Sequence, residues 1–354
     1  MISIAPTQTK NLMPPEWAPH AQTWMAFPTA NDTFGAPASE TLHRARTAWA
    51  KVASVISNYE PVTLVVDPAD KGAVGQYVPT DSQISLLLAP LNDAWMRDAG
   101  PTFVINSEGN LSTINWIFNG WGAQEWARWD KDSLLASSVA KATGTPVINS
   151  PLVTEGGGFH IDGQGTVLLT ETVQLDPDRN PNWDKVAVTD EINRQLGTTH
   201  AIWLPHGLTR DYDGFGTRGH VDIVACFTES GDVLFHRQDN SEHPDYEVSR
   251  ELRRVLEASE DAHGNRLTII DIPAPHQVRD DEWWVDYSYI NHYVCNGAVI
   301  LCAFGDDEAD NRAKELLSHA YPNHTIELID ARDIFAFGGG IHCITQQQPA
   351  VRDA

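Results

Sequence analysis

The residues able to do covalent chemistry are spread along this sequence rather than gathered in one motif. They are Asp98 in WMRDAG, Glu155 in EGGGFHIDGQGT, His220 and Asp222 in TRGHVD, and Cys343 in FGGGIHCITQQQP. Cys343 lies close to the end of the chain, where a terminus is normally allowed to fray. Yet it sits between the apolar Ile341 and Ile344, for which a disordered tail has no use. The thiolate is the reactive form of cysteine, and a free thiol ionises only near about 8.5, so it needs a neighbouring cation or base. His220 can serve, because an unperturbed imidazole with a pKa of about 6.5 carries a proton either way near neutrality. Glu155 can orient that ring as the third member of a triad does. Asp98 and Asp222 would by themselves oppose a thiolate by like-charge repulsion. They become sensible if the substrate brings its own positive charge. A guanidinium, planar and always protonated, matches carboxylates in paired hydrogen bonds.

Other residues of the same types have simpler explanations. Cys226, Cys295 and Cys302 fall inside apolar strand runs (VACF, YVCN, ILCAF) and read as core. His160-x-Asp162 and His220-x-Asp222 have the look of metal-ligand pairs, but no third ligand clusters with either, so no metal is expected. Asp162 in DGQG reads as a turn residue. The glycines of EGGG and FGGG, Gly340 among them, either allow close backbone packing or leave a substrate room. Trp95 is either core or a flat wall for a guanidinium and its alkyl stem.

Composition narrows the class. With 48 Asp and Glu against 24 Lys and Arg, the formal charge is -24. That balance disfavours nucleic acid and anionic membrane surfaces and suits a small cationic ligand. The opening MISIAPTQTKNLMPPEW has no basic segment followed by an apolar one, no apolar run is long enough for a bilayer, and the cysteines form no C-x-x-C pair. A cytoplasmic protein is expected.

Five amphipathic stretches predict helices: Ser39–Glu60, Asp130–Gly144, Trp183–Gly197, Asp245–Asp261 and Asp306–Tyr321. After each comes a β-branched run (VTLVVD, TPVINS, HAIWLP, LTIIDIP, TIELID) and then a polar lead-in opening a hairpin, with turns at SEGN, DGQG, ESGD and CNGA. The fifth hairpin lacks its second strand, which AQTWMAFP is placed to supply. A unit repeated at this period implies one array, read here as an α/β fold: a five-bladed, pseudo-fivefold α/β-propeller of ββαβ repeats forming a single domain over residues 1–354. Under that symmetry the lead-ins converge near the axis, bringing together Asp98, Glu155, His220, Asp222, Asn291 and Cys343.

In order, WMRDAGPTFV, EGGGFHIDGQGT, TRGHVD, SYINHYVCNG and GGGIHCITQQQP resemble the bacterial-type peptidyl-arginine deiminase family, and within it the agmatine deiminases. The resemblance implies the five-bladed α/β-propeller with its site on the axis and hydrolysis of a guanidino group through an amidino-cysteine, without metal or organic cofactor. It implies Cys343 as nucleophile, His220 as acid and base, Asp98 and Asp222 as the guanidinium clamp, and Glu155 supporting the histidine. Substrate contacts are expected at Trp95, Asp98, Asp222, Asp213, Arg218, Asn291 and Gly340. One departure is plain: the acidic residue that usually precedes the Thr of T-x-G-H is replaced by Phe215-Gly216 before Thr217. Asp211 and Asp213 stand nearby to receive a second cation, and Arg210 and Arg218 to receive a carboxylate instead. A non-catalytic binding scaffold, a cysteine amidase or transamidinase, and a deiminase of another guanidino compound stay open at this point, as does assembly into a homo-oligomer.

Overall fold

The computed structural model describes residues 11–80, 82–276, 279–280 and 283–351. The chain begins with β1 (His20–Ala26), crosses α1 (Glu40–Ile56) to β2 (Val62–Val66), and adds β3 (Ile84–Leu88). A hairpin–helix–strand unit then repeats. Its first copy is β4 (Thr102–Ile105), β5 (Leu111–Ile117), α2 (Leu135–Thr143) and β6 (Val147–Val153). The second is β7 (Phe159–Ile161), β8 (Thr166–Thr170), α3 (Lys185–Leu196) and β9 (His200–Leu204). The third is β10 (Ala225–Phe227), β11 (Val233–Arg237), α4 (Asp245–Ala258) and β12 (Ile269–Pro273). The fourth is β13 (Tyr293–Cys295), β14 (Ala298–Ala303), α5 (Asp307–Ala320) and β15 (Thr325–Asp330), and β16 (Thr345–Pro349) opens a fifth.

Local chemistry sets these boundaries. The side chains of Ser39, Asp184 and Asp306 accept hydrogen bonds from the backbone N–H groups of Leu42, Ala187 and Ala309, satisfying donors that a first helical turn leaves unpaired. The predicted helix at Asp130–Gly144 starts late, at Leu135, after a tight turn at Asp132–Leu134. Asp132 is occupied elsewhere: its carboxylate accepts the backbone N–H groups of Asn92 and Asp93, at 2.7 and 3.0 Å.

The result is a mixed α/β fold of five small sheets. In each repeat the second hairpin strand is central, antiparallel to the first and parallel to the strand that follows the helix. The fifth sheet is completed from the other end of the chain. β16 runs antiparallel to β1, with Met25 opposite Thr345 and Gln22 opposite Gln348, as expected of AQTWMAFP. β1 then pairs parallel with β2, reproducing the order of the other sheets. β3 was not foreseen. It extends this sheet as a fourth strand parallel to β2 and exposes Leu86 and Leu88. Its run, ISLLL, falls between VTLVVD and the WMRDAG lead-in, where the other repeats have no second strand after the helix. Cys226, Cys295 and Cys302 are buried, and Asp162 accepts the N–H groups of Gln164 and Thr166 as a turn residue does. No helix among the described residues is long and apolar enough to cross a membrane.

Candidate active site

Each lead-in delivers side chains to one buried cluster. Cys343, just before β16, has its sulfur 3.6 Å from Asp222 Oδ2, and Asn291 Nδ2 donates to the same sulfur at 3.3 Å. His220 Nε2 lies 3.2 Å from Glu155 Oε2, while its Nδ1 lies 3.8 Å from Asp98 Oδ1. Gly157 is what allows this convergence: a Cβ there would fall 2.5 Å from His220 Nδ1 and 3.0 Å from oxygens of both Asp98 and Asp222. Its N–H donates to Asp98 Oδ1, and Trp121 Nε1 donates to Asp98 Oδ2 at 2.9 Å. Two buried atoms of the cluster, Asp222 Oδ1 and His220 Nδ1, have no hydrogen-bond partner among the described residues.

Burial and like charge shape the proton inventory. Burial, with Asp222 and Glu155 adding to it, lifts Asp98 to about 6 even though His220 pulls the other way. Burial would likewise raise Glu155, but Arg179 and His220 outweigh it and hold the carboxyl at about 2. For His220, burial favours the neutral ring, yet Asp98, Glu155 and Asp222 together push it up to about 9. The Cys343 thiol is driven well above its usual range by burial, then by Asp222 and Asp98, against the opposing pull of the Gly340 backbone and Asn291. Without a ligand the cluster therefore holds an imidazolium and a thiol. An added cation between Asp98 and Asp222 removes part of the charge that keeps the thiol protonated.

The model of the Porphyromonas-type peptidyl-arginine deiminases matches residues 12–349. The chain belongs to this deiminase family. A Streptomyces coelicolor protein provisionally named an agmatine deiminase is 53% identical over 338 residues, covering 95% of this chain and 98% of that one. The agmatine deiminase of Medicago truncatula is 35% identical over 369 residues, 96% of each chain. The solved agmatine deiminase of Enterococcus faecalis superposes with a TM-score of 0.90 at 30% identity, covering 98% of both chains.

Around this deiminase core the expected tail contacts fare unevenly. The Trp95 ring and the Cys343 sulfur both border Gly339, at 2.9 and 3.0 Å from where its Cβ would be. Gly340 is a packing glycine, since a Cβ would meet Asn291 Oδ1 at 2.4 Å. Asp213 is exposed on the loop before His220. Arg218 is already engaged: its Nη1 pairs with Asp176 and Asp178 at 3.0 and 2.9 Å. Arg210 pairs with Asp280 and donates to the Trp284 carbonyl. Asp211 does not face a ligand either. Its carboxylate accepts the N–H groups of Thr217, Gly219 and His220 and the Thr217 hydroxyl, fastening the loop that carries His220. The departure at Gly216 also has a steric reason, because a Cβ there would lie 2.1 Å from the Asp211 carbonyl oxygen. Phe215 beside it takes a left-handed φ of 68° and packs edge-on against Trp126, at 5.1 Å between ring centres.

Two residues of the cluster escaped the sequence reading. Arg179 donates to Glu155 Oε1 at 2.9 Å and to the Thr217 carbonyl at 2.7 Å, and Trp121 holds Asp98. Neither lies in a lead-in, so the repeat gave no signal for them.

Proposed function

We propose that this chain hydrolyses agmatine to N-carbamoylputrescine and ammonia, a step towards putrescine. The observation that carries the reading is the pair of unpartnered buried atoms, Asp222 Oδ1 and His220 Nδ1, gathered with Asp98 Oδ1 beside the Cys343 sulfur. Buried polar groups are ordinarily paired, and a guanidinium supplies the missing donors to the carboxylates. Asp98 and Asp222 grip the guanidinium, Trp95 walls it, and the arriving cation's charge lets the Cys343 thiol release its proton to solvent. The thiolate attacks the guanidinium carbon. The C–N bond breaks as His220 gives its proton to the departing nitrogen, leaving an amidino-cysteine. Neutral His220 then takes a proton from water, the hydroxide adds to the same carbon, and the C–S bond breaks. Glu155 holds the imidazole throughout, and no metal or organic cofactor enters.

Agmatine is favoured over arginine by the state of the two nearby cations. Arg210 and Arg218 are both engaged with aspartates, which leaves a substrate carboxylate without an obvious partner, whereas Asp213 is exposed on the same loop. We read the five sheets as blades of a five-bladed α/β-propeller, one domain over residues 1–354 with the site on its axis. The support is that side chains from all five lead-ins meet in one cluster. The buried free cysteines suit a cytoplasmic setting.

The test is ammonia release across agmatine, arginine, guanidinobutyrate and a peptidyl-arginine. Agmatine should lead in kcat/KM by at least about tenfold, or about 1.4 kcal/mol. A carboxylate-bearing compound in the lead would overturn the substrate.

A further inference from the structure

Behind the catalytic cluster runs a second set of buried ionisable groups that the proposed chemistry does not use. Arg97 Nη2 lies 3.3 Å from Glu16 Oε2, and the same oxygen is 2.9 Å from His342 Nε2. His342 Nδ1 lies 2.7 Å from Asp222 Oδ2. All four side chains are buried. The groups alternate in kind: guanidinium, carboxylate, imidazole, carboxylate. The series ends at Asp222 Oδ2, and the other oxygen of that carboxylate, Oδ1, has no hydrogen-bond partner among the described residues.

The geometry also ties this series to the nucleophile's backbone. Arg97 donates from its N–H to the Cys343 carbonyl at 3.0 Å and from Nε to the His342 carbonyl at 3.3 Å. Glu16 Oε1 accepts the backbone N–H of Val294, which fixes it to β13. Side chains from the N-terminal segment and from three lead-ins thus meet in one buried series. Buried charges are costly unless paired, and a carboxylate free to turn would lose part of its value as a clamp.

We propose that Arg97, Glu16 and His342 form a positioning relay for Asp222, holding its Oδ2 so that Oδ1 faces the substrate. The inference rests on the reading of Asp222 as half of the guanidinium clamp. His342 holds the carboxylate directly. Glu16 keeps the imidazole in place, and Arg97 anchors Glu16. None of the three is a catalytic residue; each acts through Asp222.

That dependence gives the test, a double-mutant cycle on kcat/KM for agmatine. His342→Ala alone should lose at least about tenfold, the effect expected when one charge-assisted hydrogen bond is removed. On top of Asp222→Asn it should add less than about threefold, because the residue it positions is already disabled. His342→Asn, whose amide can still donate to Asp222, should recover most of the loss. A His342→Ala activity within about threefold of wild type, or losses that multiply in the double variant, overturns the relay. Should His342→Ala fail to fold, Glu16→Gln takes its place in the cycle under the same criteria. If Asp222→Asn itself retains near-normal kcat/KM, the clamp reading has failed instead. A crystal structure of His342→Ala or Glu16→Gln then decides the relay separately: an Asp222 carboxylate unmoved in the variant refutes it, and a turned one upholds it.

Discussion

Replacing Glu155 with Gln isolates one charge in the site. Glu155 Oε2 is 3.2 Å from His220 Nε2, and the imidazole stands at about 9 through Asp98, Glu155 and Asp222 acting against burial. Glutamine keeps the shape and an accepting oxygen but removes the charge. A hydrogen bond to a charged partner contributes about 1.5–3 kcal/mol. Each pKa unit corresponds to about 1.36 kcal/mol, so His220 should drop by roughly one to two units. In the free enzyme His220 must be protonated to serve as the acid, so it sets the alkaline limb of kcat/KM, while Asp98, at about 6, must be ionised and sets the acidic limb. The wild-type profile should be a bell between those two values. Glu155→Gln should bring the alkaline limb down to roughly 7–8, and, because Glu155 also helps lift Asp98, the acidic limb should shift downward with it. Ammonia release measured from pH 5 to pH 10, on the order of a dozen points, reads this directly. The variant leaves Arg179 with one buried carboxylate fewer, a loss that can cost about 3–5 kcal/mol of stability, so its melting temperature is measured in parallel. An alkaline limb that stays put or moves up in folded Glu155→Gln refutes the assignment of His220 as the acid tuned by Glu155.

Three further outcomes follow from the same geometry. Cys343→Ser should lose essentially all turnover with its melting temperature preserved, and rapid quench of the wild type should yield an amidino adduct on the peptide holding Cys343; turnover within about tenfold of wild type sinks the nucleophile. Asp98→Asn and Asp222→Asn should each cost at least about tenfold in kcat/KM, and normal values for both would end the carboxylate clamp. Gly157→Ala should also cost at least about tenfold, since its Cβ would stand 2.5 Å from His220 Nδ1, and an unchanged pH profile with full activity would show that the site tolerates that displacement.

Helix positions, four hairpins and the completing role of AQTWMAFP were legible because each rests on local patterns: capping residues, β-branched runs and glycine turns. The meeting of Cys343, His220, Asp98, Asp222 and Glu155 was legible for a different reason, since they occupy equivalent places in a repeat. Side chains outside that repeat left no such trace. Arg179 and Trp121 support the cluster from connecting segments, and Glu16 reaches it from a stretch with no periodic pattern. Asp211 was misread because a sequence distinguishes poorly between an aspartate facing a ligand and one folded back onto the N–H groups of its own loop. The pairing of Arg218 was not legible for a related reason: its partners, Asp176 and Asp178, lie about forty residues upstream, at separations of 42 and 40.

The pairing of β1 with β16 joins side chains such as Gln22 and Gln348 that are 326 positions apart. Of the site residues, Cys343 is the last to be translated, and the strand it leads into, β16, is the edge strand that must reach back to β1. A growing chain on the ribosome can therefore build four of its sheets from neighbouring segments but cannot assemble a working nucleophile. The slow, long-range step of folding and the onset of catalytic competence become one event. A partly made chain carries the aspartates and the histidine without the thiol, and so does no chemistry on the cell's guanidino compounds.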